Sequence, residues 1–372
     1  MDETSKQYLS KQIITYMGNK RKLLGLINQT LITIKKDLKK KYIRCGDGFS
    51  GSGVVSRLLK LHSSLLYSND IAGYSKTLNS CFLSNVSNTF IEKINKVVDM
   101  ANEYVDKQND TTYTRFISKF WAPNEDISIT IGERAYFTKK NAERIDKYLY
   151  FIHHIDEEYK VFLLSSLLVQ CSIHNNTSGH FAAFYKKDGV GHFGGKNAND
   201  IKRITGDIRL ENPILYNNSC KCVVEDKDVN EWVKNIPELD VVYYDPPYNK
   251  HPYSIYYFLL DIINKYDISV DVPNTLRGQP KNWTKSPYNS IRNAEKAFSD
   301  LIMNTKAKYI IVSYNNDGII SKEKMNLILQ KKGKVSIVET EHKTYNRLKG
   351  MASYKREKEN KKIKEFLWVV KT

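Results

Sequence analysis

The sequence predicts an α/β fold in which a Rossmann-like sheet carries a long helical and loop-rich insertion. The first indication is a βαβ pattern. An apolar strand at 42–45 leads through DGFSGSG (47–53) into the helical pattern VVSRLLKLH, and SLLYSND (64–70) follows as a second strand. Apolar and β-branched runs predict further strands at 220–224, 240–244, 308–314, 334–339 and 366–370. The second indication is the lapse of strand–helix alternation between residues 75 and 218.

The domain organisation follows from that lapse. Helical periodicity fills much of 75–107 and 139–173 within it, and of 256–265, 291–305 and 321–331 after it. We therefore assign residues 1–74 and 219–372 to one domain, which contains the sheet, and residues 75–218 to the insertion.

Charge is the feature of the composition that bears most on function. Lysine and arginine number 58 against 41 aspartates and glutamates, which gives a net charge of +17. Such an excess favours a polyanionic partner, with nucleic acid as the first candidate. A uniformly basic surface without a specific partner is the alternative.

Cysteine usage and hydropathy indicate the compartment. The five cysteines are scattered and form no CxxC pair, which argues against a disulfide framework and a zinc site and is typical of a reducing cytoplasm. The N-terminus has no apolar signal region, and VFLLSSLLVQ (161–170) is too short to span a bilayer. We expect a soluble cytoplasmic protein with no metal site and no membrane contact.

The run VVYYDPPYNK (241–250) places reactive groups at the end of a buried strand. Its first four residues fit a packed, pleated surface, and Pro246 and Pro247 end the strand because neither donates a backbone N–H to a sheet. Asp245 and Tyr248 therefore lie at a carboxyl edge, where open α/β sheets bind ligands. An ordinary strand followed by a polar turn is the alternative.

This arrangement suits an amino group that is conjugated to an aromatic ring. Such a group is a poor nucleophile because its lone pair is delocalised. Two acceptors on its hydrogens, the Asp245 carboxylate and the Pro246 carbonyl, would free that lone pair, and Tyr248 offers a face on which the ring can stack. A cofactor with a sulfonium methyl group would supply the electrophile.

The glycine-rich run predicts a cofactor site. Gly51 and Gly53 let a ligand approach the backbone closely, and Asp70, at the end of the next strand, is placed to accept hydrogen bonds from ribose hydroxyls. We therefore predict an adenosine-type cofactor. An NAD site is the alternative, but Ser56 stands where GxGxxG requires its third glycine, and an NAD-dependent oxidoreductase leaves DPPY unexplained.

Aromatic, basic and glycine residues interleave in SGHFAAFYKKDGVGHFGGKNANDIKR (178–203). Lysines and arginines that contact phosphates, with glycines that allow close approach, would make this stretch a DNA-contacting surface. A long solvated loop is the alternative. Candidates for DNA contact in 175–215 and 249–290 are Lys186, Lys187, Lys202, Arg203, Arg277 and Lys281.

Five motifs in one order resemble the Dam-like, class-alpha adenine-N6-specific DNA methyltransferases. The motifs are YMGNKRKLL (16–24), DGFSGSG, Asp70, DPPY (245–248) and SYNNDG (313–318). The resemblance covers residues 14–75 and 220–345 and implies methyl transfer from S-adenosyl-L-methionine (AdoMet) to N6 of an adenine that is flipped out of duplex DNA. It makes 1–74 and 219–372 the AdoMet-binding catalytic domain and places target recognition in 75–218.

The resemblance also implies a role for each matching position. Asp228 would contact the adenine of the cofactor, with Asp226 as the alternative, and Arg347 in TYNRLKG matches a late basic residue that contacts DNA. One departure is Asn19, where many relatives have glycine or serine. The catalytic residues would be Asp245, Pro246, Pro247 and Tyr248, and the cofactor-binding residues Tyr16, Gly18, Lys20, Asp47, Phe49, Gly51, Gly53, Asp70 and Asp228.

A cytosine-N4 DNA methyltransferase and a catalytically silent DNA-binding relative are the remaining alternatives. A cytosine-C5 enzyme is excluded because its nucleophilic cysteine usually follows proline, and none of the five cysteines does. We expect double-stranded DNA as partner and a modification role in a restriction–modification system, with a cognate endonuclease that acts separately. We further expect a bacterial or phage-encoded protein that is a monomer or weak dimer.

Overall fold

All seven predicted strands are present in the computed structural model of the chain, which describes residues 2–107, 112–281, 285–342 and 363–372. Each observed strand overlaps the predicted run and differs from it by a few residues at its ends. Two further short strands form a hairpin. In chain order the strands are β1 Ile43–Asp47, β2 Ser63–Asn69, β3 Lys186–Lys187, β4 Val190–Gly191, β5 Lys221–Glu225, β6 Leu239–Tyr244, β7 Ala307–Asn315, β8 Lys334–His342 and β9 Ile363–Lys371.

The large sheet has the strand order β5-β2-β1-β6-β7-β9-β8. The first five strands in this order are parallel, whereas β9 lies antiparallel between β7 and β8. Every residue of β6 is buried, because side chains on both faces of a parallel sheet are covered by other elements. The predicted Rossmann-like α/β fold class is confirmed.

The predicted helical regions are also confirmed, although 75–107 and 139–173 each contain two helices. Sequence patterns missed the helices Glu3–Ser10, Leu24–Asp37, Ile117–Trp121, Ile201–Thr205 and Val229–Asn235. No helix within the described ranges is long and apolar enough to cross a membrane. In chain order the helices are α1 Glu3–Ser10, α2 Leu24–Asp37, α3 Val54–His62, α4 Gly73–Phe82, α5 Asn88–Lys107, α6 Ile117–Trp121, α7 Lys139–His154, α8 Glu157–His174, α9 Ile201–Thr205, α10 Val229–Asn235, α11 Tyr253–Tyr256, α12 Phe258–Lys265, α13 Ala294–Asn304 and α14 Lys322–Gln330.

The chain divides into two compact units. The sheet unit comprises Lys20–Asn79, Asn218–Pro252 and Thr284–Thr372, and it contains the large sheet. The helical unit comprises Met1–Asn19, Ser80–Asn217 and Tyr253–Trp283.

The core of the sheet unit lies between the sheet and α10, α13 and α14. Trp232 of α10, Phe298 of α13 and Leu329 of α14 are fully buried there against Tyr244 of β6 and Trp368 of β9. These large side chains cover the face of the sheet from β6 to β9, and burial of their apolar surface stabilises the unit.

Residues 1–19 belong to the helical unit, although the sequence assigned 1–74 to the catalytic domain. The Tyr8 hydroxyl donates to the Phe82 carbonyl over 2.7 Å, and the Thr15 N–H donates to the Ser172 hydroxyl over 2.8 Å. These contacts join segments far apart in sequence, so strand–helix alternation carries no signal of them. Residues 253–283 belong to the same unit.

The stretch 178–203 contains regular structure where the sequence indicated a loop. β3 and β4 pair antiparallel across Asp188 and Gly189, whose φ angles are 51° and 84°. An Asp-Gly pair with both φ angles positive is typical of a tight β-hairpin turn. Two-residue strands are too short to show an alternating pattern, which is why the hairpin was missed.

Two leucines of α14 provide a test of this core. Leu329→Ala should lower the free energy of unfolding by about 2–5 kcal/mol, because the side chain is fully buried and its removal leaves a cavity. Leu327→Ala in the same helix should change it by less than about 0.5 kcal/mol, since Leu327 is 60% exposed. Urea denaturation followed by tryptophan fluorescence measures both. Equal losses would contradict the buried face assigned to α14.

Candidate functional site

The candidate site lies where the strand order of the sheet reverses. From β1 the chain proceeds to β2 and β5 on one side, whereas β6 and β7 lie on the other. Asp47 at the end of β1 pairs with Tyr243 of β6, and the Gly48 N–H donates to the Tyr243 carbonyl over 3.0 Å. This pairing brings DGFSGSG and DPPY together at the carboxyl ends of adjacent strands, which is where α/β sheets bind ligands.

The loop after β1 packs closely against neighbouring side chains, which is possible because its glycines have no Cβ. A Cβ on Gly48 would lie 2.6 Å from the Tyr244 ring, and one on Gly53 would lie 2.7 Å from Asn79 Oδ1. Gly53 also has a φ of 78°, and its N–H donates to the Ser50 carbonyl over 2.7 Å, which closes a tight turn directly before α3. Only glycine fits this turn without strain.

Two other predicted residues complete the loop. Gly51 has a φ of 49°, again in the left-handed region. The Phe49 ring contacts the ring of Tyr288 edge to face, with the two centres 5.2 Å apart, and it is only partly buried. The loop thus brings glycine backbone without a Cβ and one partly exposed aromatic ring to the sheet edge, as a cofactor loop requires.

Asp70 follows β2 and contacts this loop directly. Its Oδ2 accepts a hydrogen bond from the Gly51 N–H over 2.8 Å, and its Oδ1 accepts one from the Ala72 N–H over 2.9 Å. Burial raises the pKa of Asp70, while these N–H groups counteract that effect. The predicted ribose-binding acid therefore lies beside the glycine loop.

Asp47 carries a buried oxygen that lacks a normal hydrogen bond. Its Oδ2 accepts a hydrogen bond from the Ser56 hydroxyl over 2.7 Å, but no partner of normal geometry within the described residues reaches Oδ1. The Ser56 hydroxyl and the Phe49 N–H favour the ionised form of Asp47 and lower its pKa. Burial dominates and raises the pKa of Asp47 to about 7. An unsatisfied acceptor beside a glycine loop fits a ligand that brings a donor, as an adenosine-type cofactor does.

Asp228 lies beyond β5 and caps α10. Its side chain accepts a hydrogen bond from the Asn230 N–H over 2.9 Å, a structural role that the sequence analysis did not predict. The alternative residue, Asp226, forms an ion pair with Lys76 at 2.7 Å. Contact between Asp228 and a cofactor stays a prediction.

Asp245 lies directly after β6 in a buried group of polar side chains. Its Oδ1 lies 3.1 Å from Lys20 Nζ and accepts a hydrogen bond from the Ser313 hydroxyl over 3.1 Å. Lys20 also forms an ion pair with Glu365, at 2.5 Å. Burial raises the pKa of Asp245 to about 6, although Lys20 counteracts it. Burial lowers the pKa of Lys20, but Asp245 and Glu365 outweigh that effect and raise it overall.

The rest of DPPY lies beside this group. The Tyr248 ring contacts Tyr314 of β7 at 88°, with the ring centres 5.9 Å apart, and Lys20 Nζ lies 5.3 Å from the Tyr248 ring centre. Pro246 is buried, and Pro247 and Tyr248 are partly buried. A positively charged group over the ring and a stiff Pro-Pro backbone hold Tyr248 at the sheet edge.

Sequence reasoning missed Ser313 and Glu365. Ser313 stands first in SYNNDG, where Asn-Asn-Asp-Gly is typical of a turn and nothing in the sequence indicates that the serine contacts Asp245. Glu365 belongs to β9. The apolar run 366–370 predicts that strand, but no nearby residues indicate that β9 pairs with β7.

Tyr16 and Gly18 belong to the helical unit. The Tyr16 ring stacks on the rings of Tyr253 and Tyr257, with centres 5.2 and 4.8 Å away. The Tyr257 hydroxyl accepts a hydrogen bond from the Met17 N–H over 2.7 Å, and Gly18 has a φ of 73°. The segment is thus held in one conformation, and its contact with a cofactor stays a prediction.

The predicted DNA-contacting residues within the described ranges all belong to the helical unit. Lys186 is partly buried, with its Nζ 4.6 Å from the Phe184 ring centre. Arg203 donates to the carbonyls of Ile173, Asn175 and Thr177, so its guanidinium has a structural role. Arg347 lies outside the described residues. Lys187, Lys202, Arg277 and Lys281 are exposed.

The sheet order, the glycine loop and the acidic strand ends define a Rossmann-like methyltransferase fold. Residues 16–328 match the D12 class of N6 adenine-specific DNA methyltransferases, and the chain therefore belongs to this family of enzymes. The resemblance and the enzyme class predicted from the motifs are confirmed. The substrate is DNA, adenine is the target base rather than cytosine, and the methyl donor is of the AdoMet type.

Curated relatives carry names of the same kind. Type II methyltransferase M.NlaIII of Neisseria lactamica is 27% identical over 338 residues, which is 89% of this chain and 92% of that protein. Type II methyltransferase M.CviAII of Paramecium bursaria Chlorella virus 1 is 26% identical over 337 residues, 89% of this chain and 92% of that protein. Modification methylase StsI of Streptococcus sanguinis is 28% identical over 368 residues, 95% of this chain and 51% of the longer StsI protein.

The raised pKa of Asp47 predicts a pH effect on stability. The pKa is about 7 in the folded chain, against about 3.9 in an unfolded one, so the folded chain binds the proton more tightly. The resulting stabilisation is complete below about pH 4 and is lost as the pH rises through about 7. In Asp47→Asn, the melting temperature should therefore fall less between these two pH values than in the parent.

Thermal melting without cofactor across that range measures the effect. Asp317→Asn is the matched control, because Asp317 is an exposed carboxylate in the turn after β7 and should retain the pH dependence of the parent. Parallel curves for Asp47→Asn and the parent would contradict the assignment of a buried, protonatable Asp47.

Proposed function

We propose that the chain is the modification methyltransferase of a restriction–modification system, and that it transfers a methyl group from AdoMet to N6 of an adenine flipped out of duplex DNA. The observation that supports it most strongly is the position of the Asp245 carboxylate, one strand away from the glycine loop. The names of the relatives, Type II methyltransferase and modification methylase, support the biological role.

AdoMet binding would use the loop after β1 and the acids beside it. Gly51 and Gly53 would let the cofactor approach the backbone, Asp70 would accept from the ribose hydroxyls, and Asp228 would accept from the adenine amino group. The unsatisfied Oδ1 of Asp47 is a further acceptor at this edge. Tyr16, Gly18, Lys20 and Phe49 complete the proposed set. When bound, AdoMet supplies an electrophilic sulfonium methyl group.

Asp245 would activate the adenine amino group. Its Oδ1 already contacts Lys20 and Ser313, and within the described residues no hydrogen bond to Oδ2 is found. Oδ2 would accept one N6 hydrogen and the Pro246 carbonyl the other, which frees the nitrogen lone pair. Tyr248 would stack on the flipped base, and Pro247 would keep the backbone stiff. The proton that N6 loses would pass to solvent.

Duplex DNA would bind to the basic side chains of the helical unit. Exposed lysines and arginines suit phosphate contacts, whereas Arg203 is occupied by backbone carbonyls and would stabilise the protein itself. Flipping the adenine costs roughly a few kcal/mol, which contacts with the base and phosphates would offset. We infer a cytoplasmic monomer or weak dimer whose cognate endonuclease acts separately.

Asp245→Ala should lower methyl transfer by about 10²- to 10⁴-fold, because the amino group loses its acceptor, while AdoMet binding stays within about threefold of the parent. Transfer of tritium from labelled AdoMet to unmethylated DNA, followed by nucleoside analysis, measures both rate and product, which should be N6-methyladenine. Asp99→Ala, which removes an exposed aspartate of α5 outside every motif, is the control and should keep the parental rate. Transfer within tenfold of the parent in Asp245→Ala would refute the role of Asp245.

Salt dependence tests the DNA-binding surface. Each phosphate contact contributes about 0.9 to the slope of log affinity against log salt, so the double variant Lys187→Ala/Lys202→Ala should have a slope shallower by about 2. The control Lys331→Ala/Lys334→Ala removes two exposed lysines of the sheet unit and should leave the slope unchanged. Fluorescence anisotropy with duplex DNA at several salt concentrations measures both. If only the control variant has a shallower salt dependence, DNA does not bind at Lys187 and Lys202, and the proposed surface is wrong.

A further inference from the structure

One buried lysine in the sheet unit is shared by two carboxylates from distant parts of the sequence. Lys20 Nζ lies 3.1 Å from Asp245 Oδ1 and 2.5 Å from Glu365 Oε1. Only 5% of the Lys20 side chain and 12% of the Glu365 side chain are exposed. Glu365 lies in none of the motifs, yet it makes the shorter of the two ion pairs.

The position of Glu365 is determined by the sheet. β9 lies between β7 and β8, where Glu365 pairs with Asn315 on one side and with Thr340 on the other. Backbone hydrogen bonds on both sides leave little freedom to the strand. Glu365 is therefore a fixed point, whereas Lys20 is a long and otherwise adaptable side chain at the start of a short helical turn.

Lys20, held by Glu365, in turn holds the carboxylate of Asp245 in one orientation. Lys20 and Ser313 both contact Oδ1, so the carboxylate cannot rotate without breaking two interactions. Ser313 is itself within 2.8 Å of the Tyr243 hydroxyl. Oδ2 then keeps one direction, which is what an acceptor for a single amino hydrogen requires. Burial of one ammonium with two carboxylates is costly, and it is stable only while all three partners are present.

We propose that Glu365 is a positioning residue for methyl transfer, which holds Lys20 against Oδ1 of Asp245 and thereby directs Oδ2 toward the adenine amino group. This inference rests on the proposed role of Asp245. It also gives Lys20 a part in aligning the catalytic carboxylate, where the resemblance implied contact with the cofactor.

Glu365→Ala removes the fixed point and should lower kcat by about 10- to 100-fold, because small misplacements of a catalytic group cost that much. AdoMet affinity, measured by calorimetry, should stay within about threefold of the parent. Glu339→Ala is the matched control: it removes a glutamate of β8 that pairs with Lys322 and Lys364 but is exposed, and it should leave kcat unchanged. A kcat for Glu365→Ala within threefold of the parent would overturn the proposal.

Glu365→Gln separates positioning from general destabilisation. The glutamine amide retains an acceptor for Lys20, so kcat should recover about tenfold relative to Glu365→Ala.

The charged or titratable groups around Asp245 are Lys20, Glu365, Tyr243, Asp47 and Tyr314. Because Glu365 raises the pKa of Asp245, its neutralisation should move the acidic limb of the kcat profile to lower pH. A purely structural role would leave that limb in place and overturn the inference.

Four further outcomes are decisive. If Glu365→Ala does not fold, the pH profile of Glu365→Gln decides alone. If Glu365→Ala loses AdoMet affinity but keeps the parental kcat at saturating AdoMet, Glu365 acts through cofactor binding and the inference is wrong. If Asp245→Ala stays active, the proposed function fails first; if it is inactive while Glu365→Ala matches the parent, only the present inference fails.

Discussion

Parallel pairing of β1 with β6 is the constraint on which the rest of the site depends. Three backbone pairings, from Cys45 with Val241 to Asp47 with Tyr243, place the glycine loop beside DPPY. Gly46 permits the approach, since a Cβ there would lie 2.9 Å from Leu239. A slip of one residue would turn every side chain of β6 to the other face of the sheet and separate the two motifs.

A second consequence of the parallel sheet is electrostatic. Carboxylates stand at or just beyond the ends of four neighbouring strands: Asp228 after β5, Asp70 after β2, Asp47 in β1 and Asp245 after β6. Burial raises the pKa of Asp47, Asp70 and Asp245, so this acidic edge is costly to keep ionised. Backbone amides compensate at Asp70 and Lys20 compensates at Asp245. A ligand with several donors would stabilise the same edge.

Local signals account for what the sequence could predict. DPPY and the glycine loop are contiguous runs, so their residue types alone predict their chemistry. β6 and β7 were predicted because they are runs of strongly apolar β-forming residues. The features that the sequence did not predict depend on contacts between residues far apart in the chain. The antiparallel insertion of β9 brings Glu365 to Lys20 across 345 positions, and hydrogen bonds to Phe82 and Ser172 tie residues 1–19 to the helical unit. Arg203 shows that a basic residue in a stretch predicted to contact DNA can instead donate hydrogen bonds to backbone carbonyls of the same chain.

The place of β9 in the sheet bears on how the enzyme matures during synthesis. β8 pairs with β9 and not with β7, so a ribosome-bound chain that has emerged only to residue 342 holds β8 without the strand it pairs with. The same chain already contains the glycine loop, DPPY and Ser313. Glu365 arrives with the strand that joins β7 to β8, and the carboxylate–lysine–carboxylate group closes only then. Completion of the sheet and completion of the proposed active site are thus one event, which requires the synthesis of β9.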